Sequence, residues 1–189
     1  MSDIPRRKGT WREPGGEKIK GTVAWAAWAD AARPILIVAA RDYGSFITYK
    51  ELSERVQSDT QIFTTQRMDY WIGKVLGAVA SESSTLGEPL LSAFCLHADE
   101  TVGPGYAGAV LDAYGFVPED ADVHAAEERL AAHRHFAAEL PPDGGQARLP
   151  PGIARKRARA KQSEPRPSRA QCPNCFIELP ITGVCDQCS

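Results

Sequence analysis

The chain has 189 residues, 43% of them hydrophobic, and sets 22 Lys and Arg against 24 Asp and Glu for a formal net charge of −2. That composition fills one core of ordinary size with a small appendage, so one main domain plus a satellite is expected. The longest apolar run, PILIVAA at residues 34–40, is far short of the roughly 20 residues a membrane-spanning helix needs, and the N-terminal MSDIPRRKGTW has no hydrophobic h-region. A soluble, cytoplasmic protein with no membrane partner is the expectation.

The small net charge hides a segregation: residues 1–20 carry +3, residues 21–147 carry −10, residues 148–171 carry +7 and residues 172–189 carry −2. The first twenty read as a basic disordered arm. Residues 141–171, PPDGGQARLPPGIARKRARAKQSEPRPSRAQ, are rich in Pro, Gly, Ser and Arg with almost no large apolar residue, and read as a disordered basic linker. The folded core is then residues 21–140, and residues 172–189 form a separate module.

Along the core, AWAAWADAARPILIVAARDYG is helical in composition, with Pro34 kinking it or starting a second helix and Gly44 ending it. FITY follows as a short extended segment. Thr48 opens TYKE, a capping box in which the Thr48 hydroxyl accepts the Glu51 N–H and the Glu51 carboxylate reaches back, so a helix is expected to about Val56. After the turn-rich QSDTQIFTTQR, residues Ile72, Val75, Leu76 and Val79 form an apolar helical stripe that leaves Tyr70, Gly73, Lys74 and Gly77 near the opposite face. PLLSAFCLH reads as a buried strand, ADETVGPG as a turn, YAGAVLDAYG as a short helix and residues 119–140 as a last helix. The fold class expected is mainly α with a small β wing, in the order of a winged helix-turn-helix.

ITYKELS at residues 47–53, IGKVL at 72–76, Pro89 of PLLSAFC and GYAGAV at 105–110 resemble, in that order, landmarks of the DNA-binding domain of alkylguanine alkyltransferases and alkyltransferase-like proteins. The resemblance spans residues 46–110. It implies that Tyr49 presses on a DNA phosphate and that Gly73 and Lys74 lie on the recognition helix. The family's reactive Pro-Cys-His-Arg motif is missing: Leu90, Leu91 and Ser92 follow Pro89, so alkyl transfer is not expected. Tyr70 stands where family members insert an Arg into the base stack, and a phenol does not replace a guanidinium's charge.

Arg67 and Lys74 are the basic residues on or beside the recognition helix, either as phosphate contacts or as a solvated face. Gly73 and Gly77 either admit a close DNA backbone or let a neighbouring helix pack tightly. The linker's Arg155, Lys156, Arg157 and Arg159 are expected to clamp phosphates without sequence specificity, supplying the positive charge the acidic core lacks.

No enzyme is expected. His124 and His135, eleven residues apart, share a helix face but lie about 16 Å apart along the axis, too far for one metal; with His133 they read as solvent-exposed. Cys95 and His97 share one side of the expected strand, a pairing with nucleophilic potential, although Cys95 reads more naturally as a small core residue. No phosphate-cradling or nucleophile-elbow glycine pattern is present.

CPNCFIELPITGVCDQCS places Cys172 and Cys175 in one C-x-x-C pair and Cys185 and Cys188 in another, with nine residues between them. Each tight turn converges two sulfurs, and the two pairs complete a tetrahedron for one structural zinc ion with no open position. A minimal zinc ribbon or knuckle is expected, with Phe176, Ile177, Leu179 and Ile181 as a tiny apolar patch. The function expected is non-enzymatic DNA binding through a winged helix, a tethered basic linker and the zinc ribbon. The alternative is an adaptor whose acidic core and zinc ribbon dock a protein partner.

Overall fold

The computed structural model describes residues 8–163, 171–179 and 183–188. Contacts divide the chain into two units, residues 1–153 and residues 154–189. The first is mainly helical and built around α1, Gly21–Ala40. Ala24, Trp28, Ala32, Leu36 and Ala40 recur every four residues and are fully buried, forming the stripe that packs on α2 (Tyr49–Thr60) and α3 (Met68–Thr85). Small Ala side chains along that stripe let α2 and α3 approach closely, while Trp28 fills the space beyond them. Among the described residues α1 alone passes for a membrane span by length and mean hydropathy, yet it is the helix at the centre of the larger apolar cluster. Pro34 sits inside it without dividing it, and the helix stops at Ala40 rather than at Gly44.

The Thr48 capping box is formed as its spacing requires: the Glu51 N–H donates to the Thr48 hydroxyl at 3.2 Å, and the Thr48 N–H donates to the Glu51 carboxylate at 2.8 Å. That backbone bond, with the Thr48 hydroxyl, holds the Glu51 carboxyl below its ordinary range. The helix runs one turn past Val56, and the turn-rich segment contains a strand, β4 (Ile62–Thr64).

β4 explains a correction at the N-terminus. Residues 1–20 are not uniformly a disordered arm: β1 (Thr10–Arg12) pairs antiparallel with β4, and β2 (Glu17–Lys18) pairs with β1. Trp11 packs against Phe63 across the β1–β4 pair, so the ladder and the aromatic contact hold a segment whose composition reads as loose. Residues 1–7 lie outside the described residues.

The buried strand expected at PLLSAFCLH is a 3-10 turn, Leu91–Phe94, followed by a two-residue strand, β5 (Cys95–Leu96), parallel to β3 (Ile47–Thr48). Helices surround this run, and β3 provides a ladder partner only at its end. The wing expected after α3 reduces to a single antiparallel bridge, Leu96 to Val102. α4 (Tyr106–Tyr114) ends in Gly115 with φ +78°, the left-handed cap that glycine adopts freely. α5 (Ala121–His135), capped by Asp120, is shorter than expected at both ends.

The linker expectation is also corrected. Residues 141–153 belong to the first unit: Tyr43 Oη accepts the Gln146 N–H at 2.8 Å, Arg134 donates to the Gly144 carbonyl at 3.1 Å, and Pro150 and Ile153 are buried. α6 (Pro151–Ser163) follows, with Pro151 at its first position and the Glu100 carboxylate accepting the Gly152 N–H. The run IARKRARAKQ consists mostly of good helix formers, which the flanking prolines and serines obscure in a composition average. Residues 164–170 of the expected linker lie outside the described residues.

Candidate nucleic-acid interface and metal centre

α3 buries Trp71, Ile72, Val75, Leu76 and Val79 and turns Tyr70, Gly73, Lys74 and Gly77 outward, as the 3.6-residue period demands. On that face the Tyr70 ring meets Trp25 of α1 edge-on at 6.1 Å, and the Lys74 ammonium stands 5.0 Å from the centre of the Trp25 ring. Trp25 therefore organises two of the expected contact residues. Sequence reasoning missed it, and the W-x-x-W spacing of Trp25 and Trp28 on an Ala-rich helix was the available signal.

Arg67, at the N-cap of α3, is exposed and pairs with Asp69 at 2.5 Å. Its charge is offered beside a carboxylate rather than alone. Gly73 and Gly77 resolve one of the alternatives left open by the sequence: a Cβ placed on either meets no atom within 4 Å, so neither glycine exists to admit a neighbouring helix. Each is exposed in the interior of a long helix, where Gly is unfavourable by about 1 kcal/mol relative to Ala.

Tyr49 does not stand on the outer face. Its ring lies 4.5 Å from the ring of His97, and the Gly103 N–H donates to its hydroxyl. A Cβ on Gly103 would fall 2.0 Å from that oxygen, so only Gly fits there. Burial, with a smaller contribution from Cys95, pushes the Tyr49 hydroxyl up to about 12. Tyr49 and Gly73 are brought together on one cavity of about 220 Å³, into which Ile72, Leu76, Tyr106 and Ser92 also face. The Ser92 hydroxyl is buried without a hydrogen-bond partner.

The structure separates Cys95 from His97. β5 stops at Leu96, so the alternation does not reach His97, which is exposed, while Cys95 belongs to the core. Burial, with the Glu51 charge second, pushes the Cys95 thiol well above its ordinary value, the opposite of an activated nucleophile. The expectation of three exposed histidines fails at His133, which is 3% exposed. Its position on α5 faces the end of α1, where two backbone groups need partners. His124 is half-buried against Tyr106, whose hydroxyl lies 3.1 Å from Nδ1, and His135 is exposed.

Arg155, Lys156, Arg157 and Arg159 lie on α6, a helix with Lys161 in its last turn and no acid in its first. Arg155 and Arg159, four residues apart, share a face.

In the second unit the Sγ atoms of Cys172, Cys175, Cys185 and Cys188 all lie within 4.8 Å of one another, and Cys175 and Cys185 are 3.4 Å apart. The four are close enough to hold a metal ion. Local backbone produces the convergence: the Cys172 N–H donates to the Ile177 carbonyl and the Phe176 N–H to the Cys172 carbonyl, both at 2.9 Å, with Phe176 at φ +59°. Gly183, at φ +73°, turns the chain before the second pair. The N–H groups of Cys175 and Asn174, donating to the Cys172 sulfur, pull its thiol down to about 6. Hydrogen bonds with Cys175 and Cys185 push the Cys188 thiol up to about 12. The expected apolar patch is not formed among the described residues: Phe176 and Ile177 are 74% and 52% exposed, and Ile181 lies outside them.

No family model matches the chain, and neither does any curated protein or solved structure.

Proposed function

We propose that this chain is a non-enzymatic DNA-binding protein with one structural zinc ion, whose first unit acts as a reduced winged helix and whose α6 acts as a basic phosphate clamp. The observation that carries this reading is the outer face of α3. Two unfavourable, contact-free glycines, Gly73 and Gly77, flank a lysine and an aromatic pair on an otherwise well-packed helix. A helix retains such glycines where something outside the fold approaches its backbone. A phosphate chain fits the adjoining Lys74, and exposed Tyr70 provides a ring for stacking.

The order of elements supports the resemblance seen in residues 46–110: capped α2, then α3, the turn with β5, the Leu96–Val102 bridge and α4. Tyr49, turned into the cavity with its hydroxyl engaged, is better suited to shaping that cavity than to pressing on a phosphate. The acidic first unit needs a source of positive charge, and α6 supplies it in helical form.

Zinc is favoured for the four cysteines because four thiolates suit it tetrahedrally, with sulfurs about 3.8 Å apart around a 2.3 Å radius. Cys172, Cys175, Cys185 and Cys188 would hold the ion, which would supply a closed structural crosslink with no open coordination position. The exposure of Phe176 and Ile177 agrees with a module whose folding free energy comes from metal rather than from a core.

A second reading is favoured by a different surface. Leu111, Tyr114, Phe116, Val117 and Val123 are exposed around α4 and the start of α5, beside Glu119 and Glu127, which suits a protein partner. Fluorescence anisotropy of a labelled duplex titrated with zinc-loaded full chain at low salt separates the two. Saturable binding supports the first reading, and no binding to duplex or single strand leaves the adaptor.

A further inference from the structure

We propose that the cavity between the end of α1, α5 and residues 146–151 binds a small carboxylic acid, held by Arg129 through its carboxylate. The cavity measures about 280 Å³ and is independent of the α3 face. Arg129 lies in the middle of α5, is 6% exposed, and borders it. Its Nη1 donates to the Ala93 carbonyl at 2.9 Å and its Nη2 to the Arg148 carbonyl at 3.5 Å. Those partners are neutral. The carboxylate that acts on the guanidinium is that of Asp122, which accepts the Val102 N–H and does not border the cavity.

A guanidinium has five N–H donors, and two are occupied here. Burying a charge whose own hydrogen-bond partners are neutral carbonyls is unfavourable, and Asp122 offsets it only in part. Burial pulls Arg129 down to about 10, with Tyr106 and Asp122 opposing the shift.

The rest of the wall agrees with an anionic guest. A second arginine, Arg148, borders the cavity, and none of its bordering residues is Asp or Glu. His133 adds neither charge nor a free donor, because both ring nitrogens are engaged by Ala40 and Gly44. Phe46, Leu130, Leu149 and Pro150 supply an apolar part of the wall, beside the polar Tyr43, Ser45 and Gln146. The free edge of a guanidinium matches a carboxylate bidentately, and one buried positive charge balances one negative charge. The apolar wall accommodates a hydrocarbon body, and a volume near the low end for ligand pockets limits it to about one ring.

Benzoate is the probe, titrated calorimetrically into the zinc-loaded full chain with chloride held constant, and inorganic phosphate is the comparison anion. Saturable one-site binding of benzoate, absent with matched chloride, is the expected result. Arg129→Lys keeps the charge and loses the fork, and should weaken benzoate at least about tenfold, the size of a lost charged hydrogen bond. Arg148→Ala removes an exposed side chain while keeping the carbonyl that Arg129 uses. It should weaken benzoate several-fold with the ligand-free melting temperature unchanged, and it decides the matter if Arg129→Lys does not fold. Absence of saturable benzoate binding, equal affinity in the wild type and Arg148→Ala, or binding of phosphate but not benzoate would each overturn the proposal.

Discussion

The Nδ1–H of His133 donates to the carbonyl oxygen of Ala40 at 2.7 Å, joining α5 to the last turn of α1. The Gly44 N–H donates to Nε2 at 3.2 Å, so that nitrogen must be unprotonated and the ring neutral. Burial is the main cause that lowers the His133 pKa below its ordinary value; Arg129 adds to it, while the Ala40 carbonyl and Asp42 oppose it. Below pH about 6.5 the unfolded chain takes up a proton that the folded chain refuses, so stability falls as pH drops from there through the lower folded value. Urea midpoints measured between pH 7.5 and 5 should show this decline. His133→Gln should be less stable at neutral pH by about 1–3 kcal/mol and should lose this component of the slope.

The Trp28 indole N–H donates to the Ile62 carbonyl at 3.1 Å, and its ring lies 4.3 Å from that of Trp71. One side chain thus ties α1 to β4 and to α3. Trp28→Phe strands the Ile62 carbonyl and should cost about 1–3 kcal/mol, and Trp28→Ala about 3–5 kcal/mol. Denaturant unfolding followed by the fluorescence of the remaining tryptophans measures both; losses below half a kcal/mol from Trp28→Ala would show that the indole is not a keystone.

Much of this was legible beforehand, and the failures share a cause. The Thr48–Glu51 box and the Ile72, Val75, Leu76, Val79 stripe depend on neighbours within one helical turn, and both are present as read. The cysteine pairs are legible for the same reason. Trp11 meets Phe63, Gln146 meets Tyr43, and Gly44 meets His133 across 52 to 103 positions of chain. Composition sees only that residues 8–20 are polar and glycine-rich and that 141–163 are polar and proline-rich, and cannot see that a strand edge and a tyrosine await them. Ser92 and Gly103 gave no signal, because the cavity that makes them notable is a tertiary object.

Among the described residues, none of those from 172 to 188 belongs to either apolar cluster, so the cysteine module and the helical unit should come apart thermodynamically. If the four cysteines hold the proposed zinc ion, its chelation should abolish order around Cys172, Cys175, Cys185 and Cys188 while leaving the main thermal transition within about a degree. Cys185→Ser should have the same effect and lower bound zinc from one per chain towards none. Amide exchange together with metal analysis reads both, and a main transition that shifts with chelation would contradict the separation.

Gly73→Ala and Gly77→Ala place methyl groups where no atom lies within 4 Å. Each should raise stability by about 0.5–1 kcal/mol. If DNA approaches this face of α3, the double variant should at the same time bind duplex several-fold more weakly. Higher stability with unchanged affinity would remove α3 from the interface.

The most direct test of the central claim is the salt dependence of duplex binding by the full zinc-loaded chain, compared with the variant in which Arg155, Lys156, Arg157 and Arg159 are all Ala. The wild type should show log K falling steeply and linearly with log salt, and the variant a slope shallower by roughly 0.9 for each cation that contacts a phosphate. Equal slopes, or no binding by the wild type at low salt, would contradict it.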